Sequence, residues 1–378
     1  MGDLSSINFN INQEKKEKIP GKPRVLVVPL DWGLGHTSRC IPLIREFLKQ
    51  GCEIICAGEE AQKAVLAQEF PGVLILDLPG YRVKYSESRR GLIWKILVQY
   101  PKIKRVIGFE RSWLKTILRD YRPDVIVSDS RFGLWAKGVS CVFVTHQLKI
   151  PAPFGSLAER IAMKWNYRQI DRFAECWVPD LPGKDSLAGR LSHPTQLPVI
   201  PSYYIGLLSR FQKMDKNERK GHLVVILSGP EPQRSRLEDL LVDELAHYNG
   251  TADLIRGLPL SPTILPSTNQ IRFYNHLPAN ELNEKIGEAE FVVSRTGYST
   301  VMDVMNLQKK SILIPTPGQP EQESLATHLM QQQYAYCATQ QDFSLARSVA
   351  KAREFPYRFI DITTDLLAKT VSRFLAQL

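Results

Sequence analysis

His36 closes the segment Asp31-Trp32-Gly33-Leu34-Gly35-His36, after the apolar run Arg24–Leu30 and before the helical period of Ser38–Gln50. A glycine pair at such a turn lets a ligand approach the backbone closely. An imidazole at a helix N-terminus is held in its neutral, basic form, which can take a proton from a nucleophilic hydroxyl. His36 is therefore the candidate general base, and Gly35 a candidate backbone contact for the acceptor. The loop is not a dinucleotide fingerprint. Its third glycine is missing, with Arg39 and Cys40 standing near that place, which disfavours NAD.

A second group of reactive side chains lies between Glu290 and Ala326. Phe291–Ser294 is a short apolar run, Arg295-Thr296-Gly297 a tight turn, and Tyr298–Gln308 carries Val301, Val304 and Met305 at helical spacing. Strand, glycine turn and helix N-terminus together make an anion site, because unpaired N–H groups and the helix dipole face the ligand. Arg295, Thr296 and Gly297 are candidates for it. Asp303, one to two turns into the helix, is placed to accept hydrogen bonds from a ribose diol. Gln322 and Glu323 follow the next apolar run, Ser311–Pro315, in a polar loop over Thr316–Glu323. Ligands bind at such strand ends in α/β sheets. Ser128-Asp129-Ser130-Arg131 ends another strand, and Arg131 is a candidate acceptor contact.

The elements that must position these groups alternate. Arg24–Leu30, Glu53–Ala57, Val73–Leu76, Asp124–Ser128, Cys141–Thr145, Glu175–Val178, Leu223–Leu227 and Ile271–Tyr274 read as buried strands. Helical patterns lie between them, including Ser112–Asp120, Gly155–Phe173, Gln233–Ala246 and Asn280–Gly287. Alternation of this kind predicts doubly wound parallel sheets, and 378 residues predict two of them. The expected organisation is a disordered polar tail (1–20), a Rossmann-like domain (21–204), a second domain (205–360) and a C-terminal helix (361–378). The stretch Leu181–Tyr204 reads as the connection between domains.

Composition narrows the class. Hydrophobic residues make up 43%, enough for two cores. No apolar run is long enough to span a bilayer, and the first twenty residues lack a signal peptide's apolar middle. Six scattered cysteines with no C-x-x-C pair suggest neither zinc nor a disulfide framework, so a cytoplasmic protein is expected. The net charge is +10, and much of it sits between Arg82 and Arg122, with twelve Lys/Arg against three acids. Leu92, Ile93, Trp94 and Trp113 are interleaved there. Such a stretch is expected to contact an anionic membrane surface, the inner face of the cell membrane for a cytoplasmic protein. No nucleic-acid motif accompanies the charge.

The ordered set Arg295-Thr296-Gly297, Asp303 and Pro315 followed by Gln322-Glu323 resembles the donor half of GT-B glycosyltransferases, the MurG-like group with a glycosyltransferase family 28 C-terminal domain. The resemblance implies a GT-B fold, two Rossmann-like domains facing a cleft, the first (21–204) binding the acceptor and the second (205–360) the donor, with the C-terminal helix (361–378) crossing back to the first. It implies that Asp303 holds the ribose of a UDP-sugar and that Gln322 and Glu323 hold sugar hydroxyls. Arg210 corresponds to the family's diphosphate-binding linker arginine. Ser228-Gly229-Pro230 corresponds to its phosphate loop, with one donor lost at Pro230. Tyr274 corresponds to the base-reading strand end. His146, in Thr145-His146-Gln147-Leu148, lies where the family contacts its acceptor, but Leu148 replaces an Asn and argues for a different acceptor.

The implied activity is inverting transfer of a sugar, N-acetylglucosamine first, from UDP to an acceptor hydroxyl of a glycan or lipid-linked molecule in the cell envelope. His36 is then the base. No Asp-x-Asp motif is visible, so no metal or other cofactor is expected. Two alternatives stay open: a UDP-sugar hydrolase using water, and a non-catalytic nucleotide-sugar-binding protein.

Overall fold

The computed structural model of the chain describes residues 18–81, 89–151, 155–362 and 365–378, and their side chains except those of 89–102 and Ser156. Most of the expected N-terminal tail lies outside the described residues. So do residues 82–88 of the basic stretch and the side chain of Trp94.

The first unit runs β1 (Arg24–Val28), α1 (Leu34–Lys49), β2 (Glu53–Gly58), α2 (Glu60–Glu69), β3 (Leu74–Asp77), α3 (Arg89–Tyr121), β4 (Val125–Asp129), β5 (Ser140–Val144), α4 (Ser156–Ile170), β6 (Glu175–Val178) and β7 (Ser202–Tyr204). Its strands form one parallel sheet in the order β3-β2-β1-β4-β5-β6-β7. The second unit runs β8 (Arg219–Ile226), α5 (Gln233–Ala246), β9 (Thr251–Ile255), β10 (Ile271–Tyr274), α6 (Ala279–Glu288), β11 (Ala289–Arg295), α7 (Tyr298–Asn306), β12 (Ser311–Ile314), α8 (Pro320–Gln331), β13 (Tyr336–Cys337), α9 (Leu345–Glu354) and α10 (Asp365–Leu375). Its sheet is parallel in the order β10-β9-β8-β11-β12-β13.

Both orders reverse direction once, between β1 and β4 and between β8 and β11. At these reversals the loops on either side diverge and leave a crevice. Each central strand is buried on both faces, which explains the unbroken Val/Leu/Ile runs of β1 and β8. Val28 pairs with Ser128, so Asp129 emerges beside the loop that follows β1. Ser294 pairs with Ile226, so the loop after β8 emerges beside Arg295-Thr296-Gly297.

Four expectations change. The helix expected from Ser38 begins at Leu34, because Gly33 takes the left-handed φ of 84° and starts the helix there. The segment Ser112–Asp120 is the end of α3, whose Val106, Trp113, Leu114, Ile117 and Tyr121 fall on one buried face. The stretch read wholly as a connection contains β7, which adds an edge strand beside β6. The polar loop after β12 ends early, because Pro320 at the first helical position starts α8, so Glu321, Gln322 and Glu323 form its first turn.

The last helix, α10, lies on the first unit. Phe374 stands edge-on to Trp177 with ring centroids 5.4 Å apart, and Arg373 grips Glu175 through two bonds of 2.6 and 2.7 Å. Phe374 is buried, so truncating it leaves a cavity between α10 and the sheet. Phe374→Ala should cost about 3–5 kcal/mol. Thermal denaturation should show a lower Tm, and an unchanged Tm would mean that α10 does not pack there.

Candidate active site

The first unit gathers its reactive groups at the β1/β4 reversal. His36 sits in the first turn of α1, and its Nδ1 is 2.9 Å from Asp129 Oδ2. Arg39, one turn on, donates from Nε to both Asp129 oxygens at 3.0 and 3.1 Å, and its Nη2 also meets Asp129 Oδ1. Nη2 lies 3.2 Å from Ser130 Oγ and 2.8 Å from His36 Nδ1. A guanidinium nitrogen has no lone pair to offer, and both Nη2 protons have oxygen acceptors. The proton on Nδ1 therefore goes to Asp129, and Nε2 keeps the free lone pair.

Electrostatics agree with that assignment. Burial alone would raise the Asp129 carboxyl, but the charges of Arg39 and His36 and their hydrogen bonds hold it well below the usual carboxylate range. Burial, followed by the charge of Arg39, lowers the His36 pKa below the ordinary imidazole value despite Asp129. His36 is neutral at neutral pH and can act as a base.

The second unit supplies a cavity of about 140 Å³ at the β8/β11 reversal. Ser228, Gly229, Arg210, His276, Thr300 and Asp303 line it, over an apolar floor that includes Ile226, Ile255 and Leu282. Gly33–Gly35 of the first unit form its opposite wall. Asp303 accepts a 2.6 Å bond from Ser209 Oγ, yet burial pushes its carboxyl up to about 6 against the nearby Arg210 charge. His276 is pushed down to about 4 by burial and then by Arg210, so it is neutral. The Nε of Arg210 is buried with no partner among the described residues, which leaves a cationic donor for a ligand oxygen. Nothing would meet a side chain added at Gly297, so the N-terminus of α7 opens onto free space.

The two units touch through this site. Ser299 Oγ donates to the Gly35 carbonyl at 2.8 Å, and Tyr298 Oη to the Pro179 carbonyl at 2.8 Å. A Cβ at Gly33 would stand 3.5 Å from Gly229 Cα, so the two glycine loops abut. His146 bonds Glu321 across the seam, 2.7 Å from Nε2 to Oε1. Ligand sites usually enclose about 300–1,000 Å³. The cavity is smaller than that, so a ligand of such size needs these contacts to part.

The residues read from the sequence divide in two. His36 and Gly35 fall on the first-unit side of the seam, with Arg210, Ser228, Gly229 and Asp303 on the cavity. Thr296 and Gly297 lead into α7, with the Thr296 hydroxyl buried and unpartnered. Arg295 turns away, donating to Gln340 Oε1 at 2.7 Å and the Gln233 carbonyl at 2.9 Å. Arg131 is likewise buried in its own unit, on Glu110 at 3.1 Å and the Pro29 carbonyl at 3.0 Å. The Tyr274 ring lies under Lys285, and its carbonyl accepts from Arg256 N–H. Gln322 and Glu323 accept from the backbone N–H groups of Thr316 and Gly318, each at 2.9 Å. Sequence reading missed Asp129 as the partner of His36, along with Arg39, His276 and Glu321. For Asp129 a signal was present, an acid ending the strand beside β1. Among the described residues no group of three or more His, Cys, Asp or Glu is arranged to hold a metal.

Two parallel-sheet units meeting at their reversals define a GT-B fold, and solved GT-B glycosyltransferases share it. The glycosyltransferase of kitacinnamycin superposes with a TM-score of 0.59 at 15% identity, covering 95% of each chain. The spinosyn rhamnosyltransferase SpnG, complexed with thymidine diphosphate, gives 0.58 at 16% identity over 94% of this chain and 95% of its own. Residues 265–361 match the glycosyltransferase family 28 C-terminal domain. An uncharacterized glycosyltransferase of Methanosarcina acetivorans is 24% identical over 335 residues, 82% of this chain and 84% of its own.

Asp303 yields a test of the cavity. Its folded pKa of about 6 exceeds the ordinary carboxyl value, so the stability it contributes falls as pH rises through that window. Asp303→Asn should raise Tm at pH 8, the gain should vanish near pH 4, and nucleotide affinity should fall. An equal Tm difference at both pH values would contradict the burial of this charge.

Proposed function

We propose that the chain transfers a sugar from a nucleoside diphosphate donor, a UDP-sugar with N-acetylglucosamine as first candidate, to an acceptor hydroxyl with inversion. The observation that carries this reading is a neutral, Asp129-oriented His36 on the helix whose first residues wall the cavity lined by Arg210, Ser228 and Asp303. The family 28 match and the fold neighbours support it. His36 Nε2 takes the acceptor proton as the acceptor oxygen attacks the anomeric carbon. The bond to the diphosphate breaks, and the electron pair leaves with it. Arg210, the Ser228-Gly229 loop and the N-terminus of α7 receive that charge, so no step calls for a metal. Asp303 takes the ribose. Gln322 and Glu323 shape the loop around the sugar from the first turn of α8.

The same reading places the chain in the cytoplasm with a membrane-facing surface. Lys104, Arg105, Arg111, Lys115, Arg119 and Arg122 are all exposed along α3 and just past it. No described helix is long and apolar enough to cross a membrane. The protein should sediment with anionic vesicles and release at high salt. Equal binding to neutral vesicles would remove the electrostatic contact.

His36→Ala should lower turnover roughly 10²–10⁴-fold with nucleotide affinity retained. The acid limb of the wild-type kcat profile should lie below the ordinary imidazole value, since His36 must be protonated before the base is lost. Near-normal turnover in the variant would return His36 to a structural role.

A further inference from the structure

His146 follows β5 and stands between the units, only 4% exposed. Three groups hold its ring. Arg39 Nη1 lies 3.2 Å from Nδ1, and Glu321 Oε1 lies 2.7 Å from Nε2. The Tyr298 ring stacks on it, with centroids 4.1 Å apart and planes 13° from parallel. Arginine only donates, so Nδ1 accepts and the ring proton stands on Nε2, directed at the Glu321 carboxylate. The other edge of the same Arg39 fork meets Asp129 and His36. One rigid guanidinium therefore touches both the carboxylate that orients the base and a histidine held by the other unit.

We propose that Glu321 and His146 are positioning residues for the general base, acting only when the units close: Glu321 fixes His146, His146 fixes Arg39, and Arg39 fixes Asp129 against His36. This rests on the transfer reading above. The charged and titratable groups around His36 are Arg39 on its own helix, Asp129 from β4, His146 after β5 and Glu321 from α8. Of these, Glu321 alone comes from the second unit. Its charge favours the imidazolium, and through His146 it holds Arg39 on Asp129, the carboxylate that faces the imidazole. Both effects raise the basicity of His36. A carboxylate that merely touched the donor sugar would change donor KM and leave His36 unaltered.

The test is NMR titration of the His36 ring in the whole protein without donor. Glu321→Gln should lower the His36 midpoint by roughly half a pH unit. In a His146→Gln background the same change should move it less, because the route through Arg39 is already cut. With donor and acceptor present, Glu321→Gln should lower kcat roughly 3–30-fold at little change in donor KM. Its acid limb should move with the NMR midpoint, and Glu321→Asp should restore part of the rate. An unmoved midpoint, an equal shift in both backgrounds, or a loss confined to donor KM would overturn the proposal. The ring titration needs no turnover. A midpoint that shifts in Glu321→Gln, in a protein whose wild type transfers no sugar, would keep the relay and refute the transfer reading.

Discussion

The contact between Arg39 and Asp129 is the constraint on which the rest of the site depends. Asp129 is completely buried at the end of β4, and Arg39 is 2% exposed on α1. An isolated buried carboxylate is expensive, and removing one partner of such a pair costs about 3–5 kcal/mol. The pair therefore locks α1 against β4 at the sheet's reversal. That lock sets the position of His36, three residues before Arg39 on the same helix. It also sets the direction of Asp129, which needs His36 and Ser130 as further donors.

The second unit repeats the topology and puts it to another use. Its reversal gathers a different set of groups. It holds glycines, the open N-terminus of α7, an unpaired Arg210 Nε and a carboxylate forced toward neutrality at Asp303. In the proposed reading, one reversal accepts a proton and the other a diphosphate and a ribose. The Ser299–Gly35 and Tyr298–Pro179 bonds join the two, so the N-terminal turn of α7 touches both.

Most strands and the two-unit architecture were legible because buried parallel strands leave unbroken apolar runs, as in Arg24–Leu30 and Leu223–Leu227. β7, β9 and β13 were not: β7 and β13 are edge strands of three and two residues that carry no period, and Asp253 breaks the apolar run of β9. The places of His36 in the first turn of α1 and of Asp303 on the cavity were legible because each follows a glycine turn at a fixed spacing. The Asp129 partnership was not read although the acid ends a strand, since the β1–β4 register is what brings it beside His36. Arg295 misled for a related reason: an arginine after a strand looks like an anion contact, yet its fork is used on Gln340 and the Gln233 carbonyl. Glu321 was passed over for its neighbours because α8 starts earlier than the polar loop implied.

The central claim is that the two reversals form one transfer site. The most direct measurement follows nucleotide release and product anomeric configuration by NMR, with purified protein and a panel of UDP- and TDP-sugars, with and without glycan and lipid acceptors. The account predicts acceptor-dependent nucleotide release and a product of inverted configuration. Tight nucleotide binding with no release under any acceptor, or a product of retained configuration, would contradict it.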